Sequence, residues 1–218
     1  MPPAGWGCLD FRTRVLAQRV SAAPRALSMP RPRLDDSDLL TALEGIFRTH
    51  GFEGASVGRL VEATGLQRAS LYHRFPGGKA QMATAVLTAL HQGLVAQILA
   101  PLSGDGDLTS RVRAVAGRID AFYAGGQRPC AIDTLSLGQP TQEVAAAIAD
   151  TVETLVAGLA GAAREAGATP AAARRRAEEA FVRVEGALVL ARASGETRAF
   201  KRVIKGLPAL LVEGRVEL

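Results

Sequence analysis

Thr64-Gly65-Leu66 is where the chain must reverse direction, between two short segments that each carry one apolar face. Upstream, Ser56 is a good N-cap, and the helix after it turns Leu60 and Val61 inward. Downstream, a second short helix is predicted from about Gln67 to Phe75, with Leu66, Leu71 and Phe75 as core. Glycine at the turn lets the backbone reverse without a Cβ clash. Apolar residues on both helices then lock the angle between them, which is the pattern of a helix-turn-helix. A polar face is left on the second helix, narrow enough for a DNA major groove.

The rest of the chain from Asp35 onward keeps the helical period, and no strand alternation interrupts it. Asp35, Asp36 and Asp38 place negative charge where a helix N-terminus favours it. Leu39, Leu40, Leu43, Ile46 and Phe47 follow at helical spacing, and Gly51 is the expected stop. Pro76-Gly77-Gly78 separates the motif from a long helix starting near Lys79. In that helix Met82, Val86, Leu90, Leu94 and Ile98 recur every four positions, with Leu87 alongside, Gly93 as a point of bending and Pro101 at its end. Beyond the joint at Ser103 to Asp107, helices are predicted over about Leu108–Ala124, after Pro129, Thr141–Ala166, Pro170–Ser194 and Thr197–Lys205, with an apolar tail from Leu207. The predicted fold is all-α. A three-helix helix-turn-helix domain occupies 35–95, with its motif at about 56–75, and a larger helical domain occupies 96–218.

Charge argues for DNA only through its placement. The net +5 belongs to residues 1–34, where six arginines (Arg12, Arg14, Arg19, Arg25, Arg31, Arg33) oppose Asp10 alone. Residues 35–100 carry five basic and six acidic side chains, and 101–218 carry fifteen and fourteen, so both predicted domains are close to neutral. The basic stretch 1–34 reads as a flexible tail in which Leu9 to Val20 could form a short amphipathic helix. It lacks the apolar core of a secretory signal, although an organellar transit peptide has a similar look. Arginine outnumbers lysine 23 to 3, which suggests a GC-rich bacterial genome, and Met29 is a plausible true initiator that would leave residues 1–28 outside the native protein.

Composition excludes several classes of function. Cys8 and Cys130 form no C-x-x-C pair, so an intracellular, disulfide-free protein is expected. His50, His73 and His91 have no partner at metal-ligand spacing. No nucleophile-base pair or cofactor loop is present, so no enzyme activity and no cofactor are expected. Gly77-Gly78-Lys79 lacks the earlier glycine, the following Ser or Thr and the preceding strand of a phosphate loop. Ala80 to Gly104 holds no formally charged residue, yet Gln81, Thr84, Thr88, His91, Gln92 and Gln97 recur through it. That reads as one buried stripe of a soluble helix rather than a membrane span.

Residues 38 to 90 resemble the DNA-binding domain of the tetracycline-repressor (TetR) family. The resemblance is carried by His50-Gly51-Phe52, Ala55-Ser56-Val57, Ala63-Thr64-Gly65-Leu66, Ala69-Ser70-Leu71-Tyr72-His73, Phe75-Pro76 and Lys79. The doubled glycine Gly77-Gly78, with Cys130 after Pro129, resembles a subgroup that includes lincomycin-resistance repressors. The family resemblance implies that Gln67, Arg68 and Ala69 open the recognition helix, with Ser70 after them also a DNA-binding residue. There Arg68 is suited to grip guanine O6 and N7 together, and Gln67 either to pair with adenine or to cap the helix. It implies phosphate binding by the Tyr72 hydroxyl. His73 reads as a contact to phosphate or base, or as an ordinary exposed histidine. Arg74 reads as a phosphate contact or a partner for an acid. Ser56 caps its helix with a hydroxyl that can also donate to phosphate, and Lys79, misplaced for the helix dipole, is expected to serve phosphate.

Beyond the motif, the resemblance implies a cytoplasmic homodimer through about 170–205, bound to a palindromic double-stranded operator. A small-molecule inducer would release it by binding among the C-terminal helices. Leu90, Leu94, Phe122, Tyr123, Asp133, Leu137 and Phe181 are the expected pocket residues. The alternatives are a helical dimer that binds ligand or protein without DNA affinity, or an all-α enzyme.

Overall fold

The computed structural model describes residues 35–215, and among them the regular structure is helical. The tail arginines, the Leu9–Val20 segment and Met29 lie outside the described residues. Helix α1 (Asp36–Gly54) begins where Asp35 accepts the Asp38 N–H at 2.8 Å and the Ser37 hydroxyl at 2.9 Å. Those bonds, the backbone one first, hold the Asp35 carboxyl below its usual range. The regular helix breaks at Gly51, whose φ of 65° is open to glycine, and one further turn follows to Gly54. Space fixes the same residue independently, since a Cβ there would stand 2.7 Å from the Thr134 carbonyl oxygen.

Helices α2 (Val57–Thr64) and α3 (Arg68–Arg74) form the short pair, with Ser56 as N-cap of the first and left-handed Gly65 ending it. Helix α4 (Gly78–Gly93) continues as a wider π-helical stretch over Leu94–Leu99 and a 3-10 turn over Ala100–Ser103. Gly93 itself keeps helical angles (φ −62°, ψ −39°), so the change of winding starts after it rather than at it. The cause is Pro101, which has no N–H to offer the carbonyl one turn back, that of Gln97. Arg118 takes over that role, its Nη1 donating to the Gln97 oxygen at 2.5 Å.

Helices α5 (Leu108–Phe122), α6 (Ala131–Ser136), α7 (Gln142–Glu165), α8 (Pro170–Ser194) and α9 (Arg198–Pro208) complete the order. The apolar tail from Leu207 is not a separate segment. α9 runs through Pro208 and a π-helical turn over Ala209–Glu213, so Leu207, Leu210 and Leu211 become buried helix residues. Opening the winding to an i→i+5 pattern accommodates the missing proline N–H.

Two apolar cores result. The first joins Leu39, Leu43 and Phe47 of α1 to Leu60, Leu71, Met82, Val86 and Leu87. It also takes Leu135 of α6 and Val144 of α7, far along the sequence. The second is built from α5, α7, α8 and α9, largely of Ala, Leu and Val around Phe200. Small alanines such as Ala173, Ala177, Ala180 and Ala187 along α8 let neighbouring helices come close, which offsets the shortage of aromatic bulk. Gly78–Ser103 and Gln142–Glu165 are long and apolar enough to cross a membrane by length and composition. Both turn their apolar stripes into these cores instead, through Met82, Val86 and Leu87 on one and Val144, Val156 and Leu159 on the other.

Candidate nucleic-acid interface

The second short helix is held from below and open above. Leu71 is wholly buried, Leu66 and Phe75 pack partly against the same core, and Thr64 closes the turn by donating to the Leu60 carbonyl at 2.8 Å. Ser56, Gln67, Arg68, Ala69, Ser70, Tyr72, His73 and Arg74 are all exposed, and Lys79 is partly buried. Ser56 accepts the Arg59 N–H at 3.3 Å, which is the expected cap. Gln67 occupies the N-cap position of α3 but its side chain makes no capping bond there.

Among the described residues Arg68 makes no ion pair and no hydrogen bond, so its five donors remain for a ligand. Tyr72 is 40% exposed. The edge of its ring faces Gly78 closely enough that a Cβ there would sit 3.5 Å from Cε1. Gly78 has a φ of 65° and its N–H donates to the Phe75 carbonyl at 2.9 Å, so the doubled glycine serves a tight turn beneath Tyr72. Arg74 pairs with Asp36 at 3.0 Å. Both groups are largely in water, so this pair is weak and exchangeable. Lys79 has a local explanation that sequence reasoning lacked: its ammonium sits 4.3 Å from the centre of the Phe52 ring.

A cavity lies further along α4. It holds about 650 Å3 of empty space, counting the open solvent at its mouth. Leu90, Leu94, Phe122, Tyr123 and Phe181 line it as expected from the sequence. Asp133 and Leu137 do not. Asp133 pairs with Arg192 at 3.3 Å, and Leu137, placed after the end of α6, is 57% exposed. The polar part of the wall is instead Arg48, Tyr123, Cys130, Thr151 and Glu185.

Sequence reasoning passed over Arg48 and Glu185. The usable signal for Glu185 was its position four after Phe181 and three before Leu188, which sets a carboxylate on the edge of an apolar stripe. Burial pushes its pKa up to about 6. Arg48 donates to Glu44 from Nε at 3.1 Å and again from Nη2, and from Nη1 to the Pro129 carbonyl. Arg128 joins the same Glu44 carboxylate at 3.3 Å, and both guanidinium groups lie over the Phe122 ring, at 5.4 and 5.5 Å. Phe122 thus fastens α1 to the segment between α5 and α6 at the edge of the cavity.

Residues 39–86, which hold the buried anchors and the exposed face just described, match the bacterial regulatory proteins, tetR family. Over that segment the chain is similar to TetR-family transcriptional regulators. The described residues are all-α, with a TetR-type helix-turn-helix segment followed by a larger helical part. Among solved structures it is similar to a TetR transcriptional regulator from Legionella pneumophila, with 18% identity and a TM-score of 0.72 over 81% of this chain and 97% of that one. It is similar to a TetR-family regulator from Agrobacterium tumefaciens, at 21% identity and a TM-score of 0.70 over 80% and 96%. FadR from Bacillus subtilis, solved in complex with stearoyl-CoA, shares the fold at 13% identity and a TM-score of 0.66 over 82% and 98%. No curated protein matches the chain. The resemblance to lincomycin-resistance repressors finds no support in these comparisons.

Proposed function

We propose that the chain is a TetR-family transcriptional regulator, a cytoplasmic, homodimeric repressor that holds a palindromic operator and lets it go when a small molecule enters the internal cavity. One observation carries the release step. The buried stripe of α4 and its extension belongs to the first core at Met82, Val86 and Leu87, then to the cavity wall at Leu90, Leu94 and Ile98. Any widening of the cavity therefore acts on the same rod that supports the recognition helix. A ligand shifts the equilibrium only through its differential affinity for the two spacings of the recognition helices, and the shared rod supplies that difference. A protein of the same fold, FadR from Bacillus subtilis, was solved in complex with stearoyl-CoA.

We assign DNA binding to 35–95 and ligand binding and dimerisation to 96–218. Within the first, Arg68 reads a base edge, and Gln67, Ala69, Ser70, Tyr72, His73 and Ser56 face the duplex around it. Arg74 and Lys79 serve phosphate only by exchanging Asp36 and the Phe52 ring for it. Dimerisation is supported by the outer side of α8, where Val182, Val189 and Leu190 are 62%, 44% and 57% exposed. A groove between α8 and α9, lined by Ala187, Leu190, Ala199 and Val203, continues that surface. Exposed apolar side chains grouped in this way mark an interface.

The test is binding to DNA taken from beside the protein's own gene, followed across salt concentration. A steep fall in affinity with salt is expected from phosphate contacts. Absence of binding at low salt would leave a helical ligand-binding dimer as the correct reading.

A further inference from the structure

Glu185 is the member of the cavity wall whose polar atoms have nothing to hold. Both carboxylate oxygens are shut off from solvent, and neither has a hydrogen-bond donor among the described residues. The other polar groups of the wall are occupied. Arg48 is spent on Glu44 and the Pro129 carbonyl, the Thr151 hydroxyl donates to Ala147 at 2.7 Å, and Tyr123 donates to the Cys130 sulfur at 3.4 Å. The Cys130 thiol comes near enough to ease the charge on Glu185, without completing a hydrogen bond in this geometry.

A buried carboxylate without donors is costly, and the cost is removed by a proton or by donors brought from outside. Around Glu185 the wall is aliphatic and aromatic, with Phe181 and Val184 on the same helix and Leu155 and Leu207 on its neighbours. The complement of such a surface is an apolar body with a cation at one end. A carboxylic acid would meet like charge, a neutral molecule without donors would leave the oxygens as they are, and a neutral hydroxyl would offer them one uncharged donor.

We infer that the cavity takes a hydrophobic molecule carrying a protonated primary amine, whose ammonium donates to the Glu185 carboxylate while its apolar part lies among Leu155, Phe181, Val184 and Leu207. This rests on the effector-cavity reading above and adds the chemical class of the effector. An ammonium in this place makes charge-assisted hydrogen bonds in a water-poor setting, where they are strong. The specificity follows from what is left unpaired when the amine is missing.

Three probes of one shape test it on the full chain: 4-phenylbutylamine, 4-phenylbutan-1-ol and 4-phenylbutyrate, titrated by calorimetry at pH 7.5. The amine is expected to bind about tenfold or more tightly than the alcohol, with the acid weakest. In Glu185→Gln the advantage of the amine over the alcohol should be lost, and a cooperative urea unfolding transition shows that the variant remains folded. An amine no better than the alcohol, an acid that binds best, or an amine preference surviving Glu185→Gln overturns the amine assignment. If none of the three binds the wild type, the effector-cavity reading itself falls.

Discussion

Arg68 stands at the first position of α3, three residues before the wholly buried Leu71, so its backbone is fixed while its side chain is exposed. Replacing it with Ala should cost about 1–3 kcal/mol at a single base position and relax the preference there. Competition between operators differing at one base pair reads this directly, and an unchanged preference would remove Arg68 as a base reader. Glu185 makes a second residue-scale prediction. Its pKa, raised to about 6 from an ordinary 4.5, means that the folded protein binds this proton more tightly than the unfolded chain. The associated stability is fully present below pH 4.5 and is lost as pH rises through 6, by about 2 kcal/mol at neutrality. Arg48, Cys130, Asp133 and Arg192 set the surrounding field, and the Gln variant leaves them in place. Glu185→Gln should therefore be more stable than wild type at pH 7 and equal to it below pH 4.5, as followed by urea unfolding at several pH values. A difference that persists in acid would trace to packing instead. Arg68 was legible in the sequence because a compact motif fixes where it stands. Glu185 was not, because whether a carboxylate at the edge of a stripe finds a donor depends on helices far away in the chain.

At the scale of elements, the boundaries that glycine and proline set were readable and the winding between them was not. Gly51 was read as the end of the first helix, and the backbone does break there. The second reason for glycine, the Thr134 carbonyl from α6, depends on a contact that no local pattern encodes. Pro101 was read as a helix end, and the last helix was ended at about Lys205, ahead of Pro208. In each case the chain continues by changing its winding, with Arg118 serving the Gln97 carbonyl near the first. Two glycines of α1 therefore make opposite predictions. Gly51→Ala meets both a positive φ and a backbone oxygen, and should destabilise by more than about 1 kcal/mol while loosening α1 from α6. Gly45→Ala, mid-helix with no atom near its missing Cβ, should stabilise by about 0.5–1 kcal/mol. Denaturant midpoints of the two variants check this, and effects of one sign would show that Gly51 is an ordinary helix stop.

For the whole molecule, the proposed dimer requires two heads to bind as one. A two-fold interface is self-complementary, so each substitution in it acts twice. Leu190 joins the outer face of α8 to the groove against α9, and at 57% exposed it is not needed to fill the core of its own chain. Glutamate there would bring two like-charged carboxylates into an apolar contact around the axis, in a groove whose own cations are Arg183, Arg202 and Lys205. Leu190→Glu should then run as a monomer by light scattering while its unfolding midpoint stays close to wild type. Once monomeric, it has one recognition helix for each DNA encounter. The second half-site no longer benefits from the effective concentration that a tethered head provides, which is commonly a factor of about 100 or more. Wild type should bind a full palindrome far more tightly than a single half-site, and the variant should bind both alike. A variant that stays dimeric places the interface elsewhere on the molecule. A variant that is monomeric yet keeps the full-site affinity shows that pairing of heads does not contribute to operator binding.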